Sequence, residues 1–308
     1  MAVAEPIGKV ATIGSGLNYM KVILLADSHG DIDRINRLAA QYDADACIHC
    51  GDVSFFDHES IRHLPVEELA KIVRHAPVPA EEKSRITALP HAEQAENILQ
   101  LGVAGTFEDY LNGKKTFEIP VYAVWGNHED IRIVNRLREE PLPNLTLLDE
   151  RRSVMLEKVR IYGIGGDFNE KHLPMAEKLG IPWVKNQIRS AFWQYHKLVK
   201  MLDEFPHGEV RLQVTHCDPA ENRFLEALAH RGGASLTLSG HMHRKESRMW
   251  CSYGNTEEVF RHYQAMFPVL PWERMAGRQS NAGVQHLNLS PGKVQLLEIN
   301  GEEYHIKP

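Results

Sequence analysis

Five short segments dominate this sequence, each closing an apolar run that reads as a buried strand. They are Asp27-Ser28-His29-Gly30, Gly51-Asp52, Gly126-Asn127-His128-Glu129, Thr215-His216 and Gly240-His241-Met242-His243. Each holds at least one Asp, Asn or His, the side-chain types that coordinate divalent cations. Side chains at strand ends can converge on one rim of a sheet although they lie far apart in sequence. A fold that brings these five strand ends together would gather the donors into one site.

The stretches around the segments have a regular grammar. Lys21-Val22-Ile23-Leu24-Leu25-Ala26 forms the first strand. After the Asp27 loop, Ile32, Ile35 and Leu38-Ala39 recur at helical spacing, with Asp31 placed to cap that helix. A second strand ends at Gly51-Asp52. Val121-Tyr122-Ala123-Val124-Trp125 forms a third, and Ile131, Val134 and Leu137 mark the helix that follows. Strand, polar loop and helix repeat, as expected of an α/β chain with a largely parallel sheet. The second half is richer in strands, with candidates at Leu145–Leu148, Val159–Gly163, Val210–Val214 and Ser235–Leu238. Val284–Leu289 and Val294–Ile299 read as a closing hairpin around Pro291-Gly292.

Composition narrows the class. The 308 residues suffice for a large core, and a hydrophobic content of 43% with 25% charged residues is ordinary for a globular protein. The net charge of −6 argues against nucleic-acid binding through a wholly basic surface but leaves room for a local basic groove. No apolar run approaches the roughly 18–20 residues a membrane span needs, and the first twenty residues lack the apolar stretch of a secretory signal. Cys47, Cys50, Cys217 and Cys251 are too few for a disulfide scaffold. Cys47 and Cys50 form a C-x-x-C, but they lie on a strand, where residues three apart point to opposite faces, and no second pair completes a zinc site. A reducing, cytoplasmic setting follows. Gly163-Ile164-Gly165-Gly166 lacks the full dinucleotide fingerprint and continues into Asp167-Phe168-Asn169-Glu170, so it reads as a tight turn near the rim.

In order and content the five segments resemble the calcineurin-like metallophosphoesterases, whose pattern is D-x-H, G-D, G-N-H-[DE], H and G-H-x-H. The resemblance runs from about residue 21 to about residue 300. It implies two packed mixed β-sheets flanked by helices, with metals at one edge. It also implies two divalent cations, with Asp27, His29, Asp52 and His243 on the first and Asn127, Asp52, His216 and His241 on the second. Such ligands suit Mn, Fe, Zn, Co or Ni. Two metals about 3.5–4 Å apart lower the pKa of a bridging water and hold a phosphate ester for in-line displacement. Asp52 is the candidate bridge, because each of its oxygens can bind one metal. Two carboxylates, Asp27 and Asp52, against two dications leave a net positive pocket suited to an anionic ester. The resemblance makes His128 the residue that contacts the substrate phosphate and protonates the leaving oxygen, beside Asn127. His241 and His243 would share a face on a regular strand, so a turn is needed to aim them at adjacent metals. Gly30, Gly51, Gly126 and Gly240 are read as positions that let the loops turn tightly, and Glu129 and Asp218 as supports behind the ligands.

The protein Ser/Thr phosphatases continue their second segment as G-D-x-V-D-R-G, whereas here Gly51-Asp52 is followed by Val53-Ser54-Phe55-Phe56-Asp57. That branch is disfavoured. His216-Cys217-Asp218-Pro219 and Leu287-Asn288-Leu289 resemble the RNA lariat-debranching group, which differs in having Cys where this chain has Asp27. A phosphodiester or nucleotide substrate is the favoured expectation, with nucleic acid among the candidate partners; a phosphomonoesterase and a metal-bound, non-catalytic scaffold are the alternatives. Residues 1–19 read as an N-terminal extension and 20–308 as a single domain, with a helical insertion at about 54–118 holding helices near 66–75 and 91–101. The insertion could instead dock a protein partner. Residues 168–205 hold a further helix with Trp193, Leu198 and Leu202 on its apolar face. Residues 244–282 mix basic and aromatic side chains, among them Arg244, Lys245, Arg248, Trp250 and Tyr253, and Arg244 is the candidate substrate contact.

Overall fold

The computed structural model describes residues 19–168, 182–219, 222–243, 246–250 and 284–307. Two six-stranded mixed sheets make the centre of the fold. The first runs in the order β12 (Glu303–Lys307), β11 (Gln295–Asn300), β1 (Met20–Leu25), β2 (Ala46–His49), β3 (Val121–Ala123), β4 (Leu145–Leu147). The second runs β5 (Val154–Leu156), β6 (Val159–Ile164), β7 (Val210–Thr215), β8 (Leu236–Ser239), β10 (Val284–Asn288), β9 (Glu246–Trp250). β1 to β4 are parallel, as are β6, β7, β8 and β10; antiparallel strands close one edge of the first sheet, at β11 and β12, and both edges of the second, at β5 and β9. This is the pair of mixed sheets that the family resemblance implied.

The central strands are apolar on both faces because both faces are covered. Val22, Leu24, Ala46, Ile48 and Val124 of the first sheet meet Leu212, Val214, Leu236, Leu238 and Leu287 of the second in one buried layer. The opposite faces lie under helices. Ile23, Leu25 and Cys47 pack with Ile35 and Leu38 of α1 (Arg34–Tyr42) and with Ile133, Val134 and Leu137 of α7 (Ile131–Glu139). Tyr162 and Ile164 pack with Tyr195, Leu198 and Leu202 of α8 (Pro182–Asp203) and with Phe224 and Leu228 of α9 (Arg223–Gly232). The side chain of Trp193 lies outside the described residues. Cys47 and Cys50 enter different cores, as alternation along a strand requires, and burial pushes both thiols up.

Between β2 and β3 the chain forms α2 (His58–His63), α3 (Val66–His75), α4 (Ala80–Thr87), α5 (His91–Gln100) and α6 (Phe107–Leu111). The helices expected near 66–75 and 91–101 are α3 and α5. Pro65, Pro79 and Pro90 stand directly before α3, α4 and α5, where a missing N–H is harmless and the preceding helix cannot continue. Ile61, Leu64, Leu69, Ile72, Val73, Ile86 and Ile98 give this group a buried cluster of its own.

Three local expectations change. Asp31 does not cap α1: the chain first makes a tight turn, with Ile32 N–H donating to the Gly30 carbonyl at 2.9 Å, so the helix begins only at Arg34. The Asp31 carboxylate instead pairs with Arg37 at 2.8 Å. Val284–Leu289 and Val294–Ile299 do not form a hairpin, because the turn at Pro291-Gly292 carries the chain from one sheet to the other. β10 pairs with β8 and β9, β11 with β1 and β12, and Leu287 and Leu297 share the layer between the sheets. The glycines at 163–166 do reach the rim: the Gly166 N–H donates to the Trp125 carbonyl at 2.7 Å, just before Gly126-Asn127.

Candidate metal centre

All five segments lie at the carboxyl ends of parallel strands. Asp27, Asp52 and Asn127 follow β1, β2 and β3 of the first sheet, while His216 and His241 follow β7 and β8 of the second. The loops are held in unusual backbone conformations. Among the described residues nine non-glycine positions have positive φ, and six of them are Asp27, His29, Asp52, Ser54, His241 and His243. Left-handed backbone is costly for such residues and persists where surrounding contacts enforce it. Here Asp27 N–H donates to the Gly51 carbonyl and His29 N–H to the Asp52 carbonyl, each at 3.0 Å, so the first two loops fix each other. Gly51 itself has φ +90°. Gly126 is required for space: a Cβ there would stand 2.1 Å from Asp52 Oδ1.

One cluster is built from Asn127, His216, His241 and Asp52. Asn127 Oδ1 lies 2.8 Å from His216 Nε2 and 3.0 Å from His241 Nδ1, and those two nitrogens are 3.2 Å apart. His216 Nε2 is also 3.4 Å from Asp52 Oδ2. The Nδ1–H of His216 donates to the Cys50 carbonyl at 3.0 Å, which leaves Nε2 as the ring nitrogen facing the cluster. His216 Nε2 and the oxygens of Asn127 and Asp52 thus face one another, which suits a shared cation. The separations also fit, since donors about 2.0–2.2 Å from one ion sit roughly 3 Å apart.

The second cluster holds His29, His243 and Asp27. His29 Nε2 and His243 Nε2 are 3.4 Å apart, about the spacing of two imidazoles on one tetrahedral cation, and His243 Nε2 is 3.6 Å from Asp27 Oδ1. The backbone N–H of His241 donates to both Asp27 oxygens, at 3.2 and 3.1 Å. A turn beyond the end of β8 therefore sends His241 and His243 to different clusters. Asp27, Asp52 and His216 each offer a ligand atom within 4.8 Å of the others, so the clusters adjoin.

The charge state suits cation binding. Burial pushes His29 down to about 3 and His241 down to about 4, so both imidazoles are neutral near pH 7, as ligation requires. Burial and the facing Asp52 raise Asp27 well above the carboxylate range, whereas the imidazoles around Asp52 outweigh its own burial and hold it low. Two carboxylates in one buried pocket resist ionising together, and a cation between them relieves that conflict.

His128 stands beside the clusters and in neither. Its backbone N–H donates to Asp52 Oδ1 at 3.0 Å, and its ring is 5.8 Å from that of His29, centroid to centroid. Burial pulls its pKa down, but Asp52 and Glu68 outweigh that and hold it above its ordinary value. Glu129 is fully buried behind the loops. The Asp218 carboxylate lies 2.8 Å from His286 Nε2 and 3.5 Å from Asn288 Nδ2, and Asn288 Nδ2 also donates to the Gly240 carbonyl at 2.8 Å. Arg244 and Tyr253 lie outside the described residues. For Arg248 and Trp250 only the strand position is described.

Two residues at the site carry no sequence signal of their own, and both come from α3. The Glu68 carboxylate is 3.0 Å from His128 Nδ1. His75 stacks on His29, ring centroids 4.2 Å apart and planes 14° from parallel, and lies within ligand range of His29 and His243. Imidazoles stacked face to face cannot both aim in-plane lone pairs at one ion, so in this arrangement His75 is a wall of the cluster rather than a co-ligand of His29.

The fold agrees with a family match. The family model for calcineurin-like phosphoesterases matches residues 20–245. No curated protein matches. Among solved structures, a conserved uncharacterized protein of Streptococcus pneumoniae TIGR4, described as a predicted phosphoesterase, shares 13% identity with a TM-score of 0.34, covering 94% of this chain and 89% of that one. Phosphopantetheinyl hydrolase of Mycobacterium tuberculosis shares 10% identity with a TM-score of 0.36, covering 88% of this chain and 89% of that one. The family match spans most of the chain and includes all five strand-end segments: the protein belongs to the calcineurin-like phosphoesterase family.

Proposed function

We propose that the chain is a dinuclear metal-dependent phosphoesterase that prefers phosphodiesters, with nucleotides first among them. The observation that supports this reading is the pair of adjoining clusters, with ligand atoms of Asp52 and His216 in one and Asp27 in the other within 4.8 Å of each other, and the His128 backbone N–H on the same Asp52 carboxylate. Asp27, His29, Asp52 and His243 would hold one cation, and Asn127, Asp52, His216 and His241 the other. When bound, such a pair supplies the charge that acidifies a water and neutralises phosphoryl oxygens. The rest falls to the chain. His128, beside the clusters and held above its ordinary pKa, keeps a proton for the departing oxygen and hydrogen-bonds the phosphoryl group.

The diester preference is supported by Arg244, Lys245, Arg248, Trp250 and Tyr253, which follow His243 directly in sequence. A diester needs an open groove on both sides of phosphorus, and Arg and aromatic side chains suit the phosphates and bases of such a chain. In the same reading residues 20–308 form one unit in which α2 to α6 are a helical insertion. Three buried free thiols, Cys47, Cys50 and Cys217, support a reducing, cytoplasmic setting.

The test is the ratio of kcat/KM for bis-p-nitrophenyl phosphate to that for p-nitrophenyl phosphate, with Mn, Zn, Co, Ni and Fe each supplied to metal-free protein. A ratio above one, lowered by Arg244→Ala, is the expected result. A strong monoester preference indifferent to Arg244→Ala makes the protein a phosphatase. Hydrolysis of neither by fully loaded protein makes it a scaffold.

A further inference from the structure

Helix α3 lies outside the five segments, yet it forms one side of the site. Glu68, Lys71 and His75 are spaced i, i+3 and i+7 and share a helix face, while Leu69, Ile72 and Val73 are buried in the helical cluster. Glu68 is buried, with a side-chain exposure of 8%, and its two oxygens are both engaged: Oε2 lies 3.0 Å from His128 Nδ1, and Oε1 accepts from Lys71 Nζ at 2.7 Å.

We propose that Glu68 is the positioning residue of His128, fixing its imidazole by accepting the Nδ1–H so that Nε2 is the ring atom presented to the substrate. The inference rests on the reading of His128 given above and deepens it.

Three observations carry it. His128 is tied at two points, its backbone N–H to Asp52 and its Nδ1 to Glu68, and these fix both the loop and the ring. Nε2 is the only ring nitrogen left for another partner. Lys71 clamps the far oxygen of the carboxylate, so the acceptor is itself immobilised. Stability alone does not explain a carboxylate at this place. A buried ion pair seldom outperforms an apolar side chain of similar size, and α3 already buries its apolar residues in the helical cluster. What the carboxylate adds is orientation, and in catalysis orientation is worth much: a displacement of about 1 Å in a reacting group can cost on the order of 100-fold in rate. The family's five segments do not contain Glu68, so in this chain the region between β2 and β3 completes the site.

The experiment compares Glu68→Ala, Glu68→Gln, His128→Asn and the double variant Glu68→Ala/His128→Asn, all loaded with metal. The substrates are an alkyl and a p-nitrophenyl phosphodiester. Glu68→Ala is expected to lower kcat on the alkyl ester by roughly 10–100-fold with KM and bound metal unchanged. Glu68→Gln, whose amide oxygen can accept the same bond, recovers most of that loss. The double variant is no slower than His128→Asn alone. Nitrogen-15 NMR of the His128 ring, at a pH high enough to make it neutral, supplies a readout independent of turnover: Nδ1 is protonated in the wild type, and the tautomers become mixed in Glu68→Ala. Losses that add in the double variant, or wild-type kcat in Glu68→Ala, overturn the inference and leave the phosphoesterase reading intact. If the loaded wild type hydrolyses neither ester, that reading fails. The NMR result then decides whether Glu68 orients His128, and an unchanged ring tautomer in Glu68→Ala counts against it.

Discussion

Glu129 Oε1 accepts the backbone N–H of Val53 at 2.6 Å, joining two loops that are 76 residues apart in sequence. Oε1 also accepts from Ser54 at 3.3 Å, and Oε2 accepts the Gly126 N–H at 2.6 Å. One buried carboxylate thus locks the loop of Asp52 to the loop of Asn127. Glu129→Ala leaves these donors without their acceptor and should destabilise the protein by about 2–4 kcal/mol, since an unsatisfied buried group costs about 1–3 kcal/mol. Urea unfolding measures the first effect. Metal titration should show weaker binding in the variant, and unchanged affinity would mean that the two loops hold their geometry without this bond.

Asp52→Asn should lose at least one metal and most activity. The amide keeps the size of the side chain but removes the charge and one good oxygen donor. Elemental analysis is the check, and two equivalents of metal in the variant would refute the shared role of Asp52.

His128→Asn should keep its metals and turn over about 100-fold more slowly or worse, the scale of one acid–base or electrostatic contact. The loss should be smaller for p-nitrophenyl esters, whose leaving group needs little protonation. Wild-type kcat on an alkyl ester would remove His128 from the mechanism.

Gly126→Ala tests crowding rather than chemistry. The added methyl would meet Asp52 Oδ1 at 2.1 Å and Asp52 N at 2.5 Å, so the loop must shift. Overpacking of this kind costs about 1–3 kcal/mol, and here the moved atom is a candidate ligand. Metal affinity should therefore fall along with stability, whereas Gly113→Ala, with nothing within 4 Å, should cost only backbone strain at φ +70° and leave metal binding alone.

Chelation should lower the melting temperature, because a ligand that binds only the folded state stabilises it by mass action. The decrease should be smaller in Asp52→Asn, which has one less charge to neutralise. Calorimetry with and without chelator reads both effects.

The residues that meet at the rim were legible because each follows directly on an apolar strand, so their order along the chain foretold their convergence. Asp27, Asp52, Asn127, His216 and His241 all arrive in this way. Glu68 and His75 do not. They reach the site because α3 packs on its neighbours, and in sequence a face bearing Glu, Lys and His resembles any solvated helix surface. Asp31 looks like a cap in the sequence, but a tight turn delays the helix by residues that composition does not mark. Proximity in sequence favours a hairpin of β10 and β11, but Leu287 and Leu297 are both buried in the layer between the sheets, one from each sheet. β5 and β12 are short edge strands with mixed exposure and carry little apolar pattern.

The candidate ligands come from both sheets, three loops from one and two from the other. Cations held by Asn127 and His216 together would act as a rivet through the sandwich at that rim, beyond the reach of its apolar layer. Neither sheet alone could then assemble the site. Metal binding would appear only once both halves had docked in register, and a chain arrested midway through folding would hold no complete set of ligands.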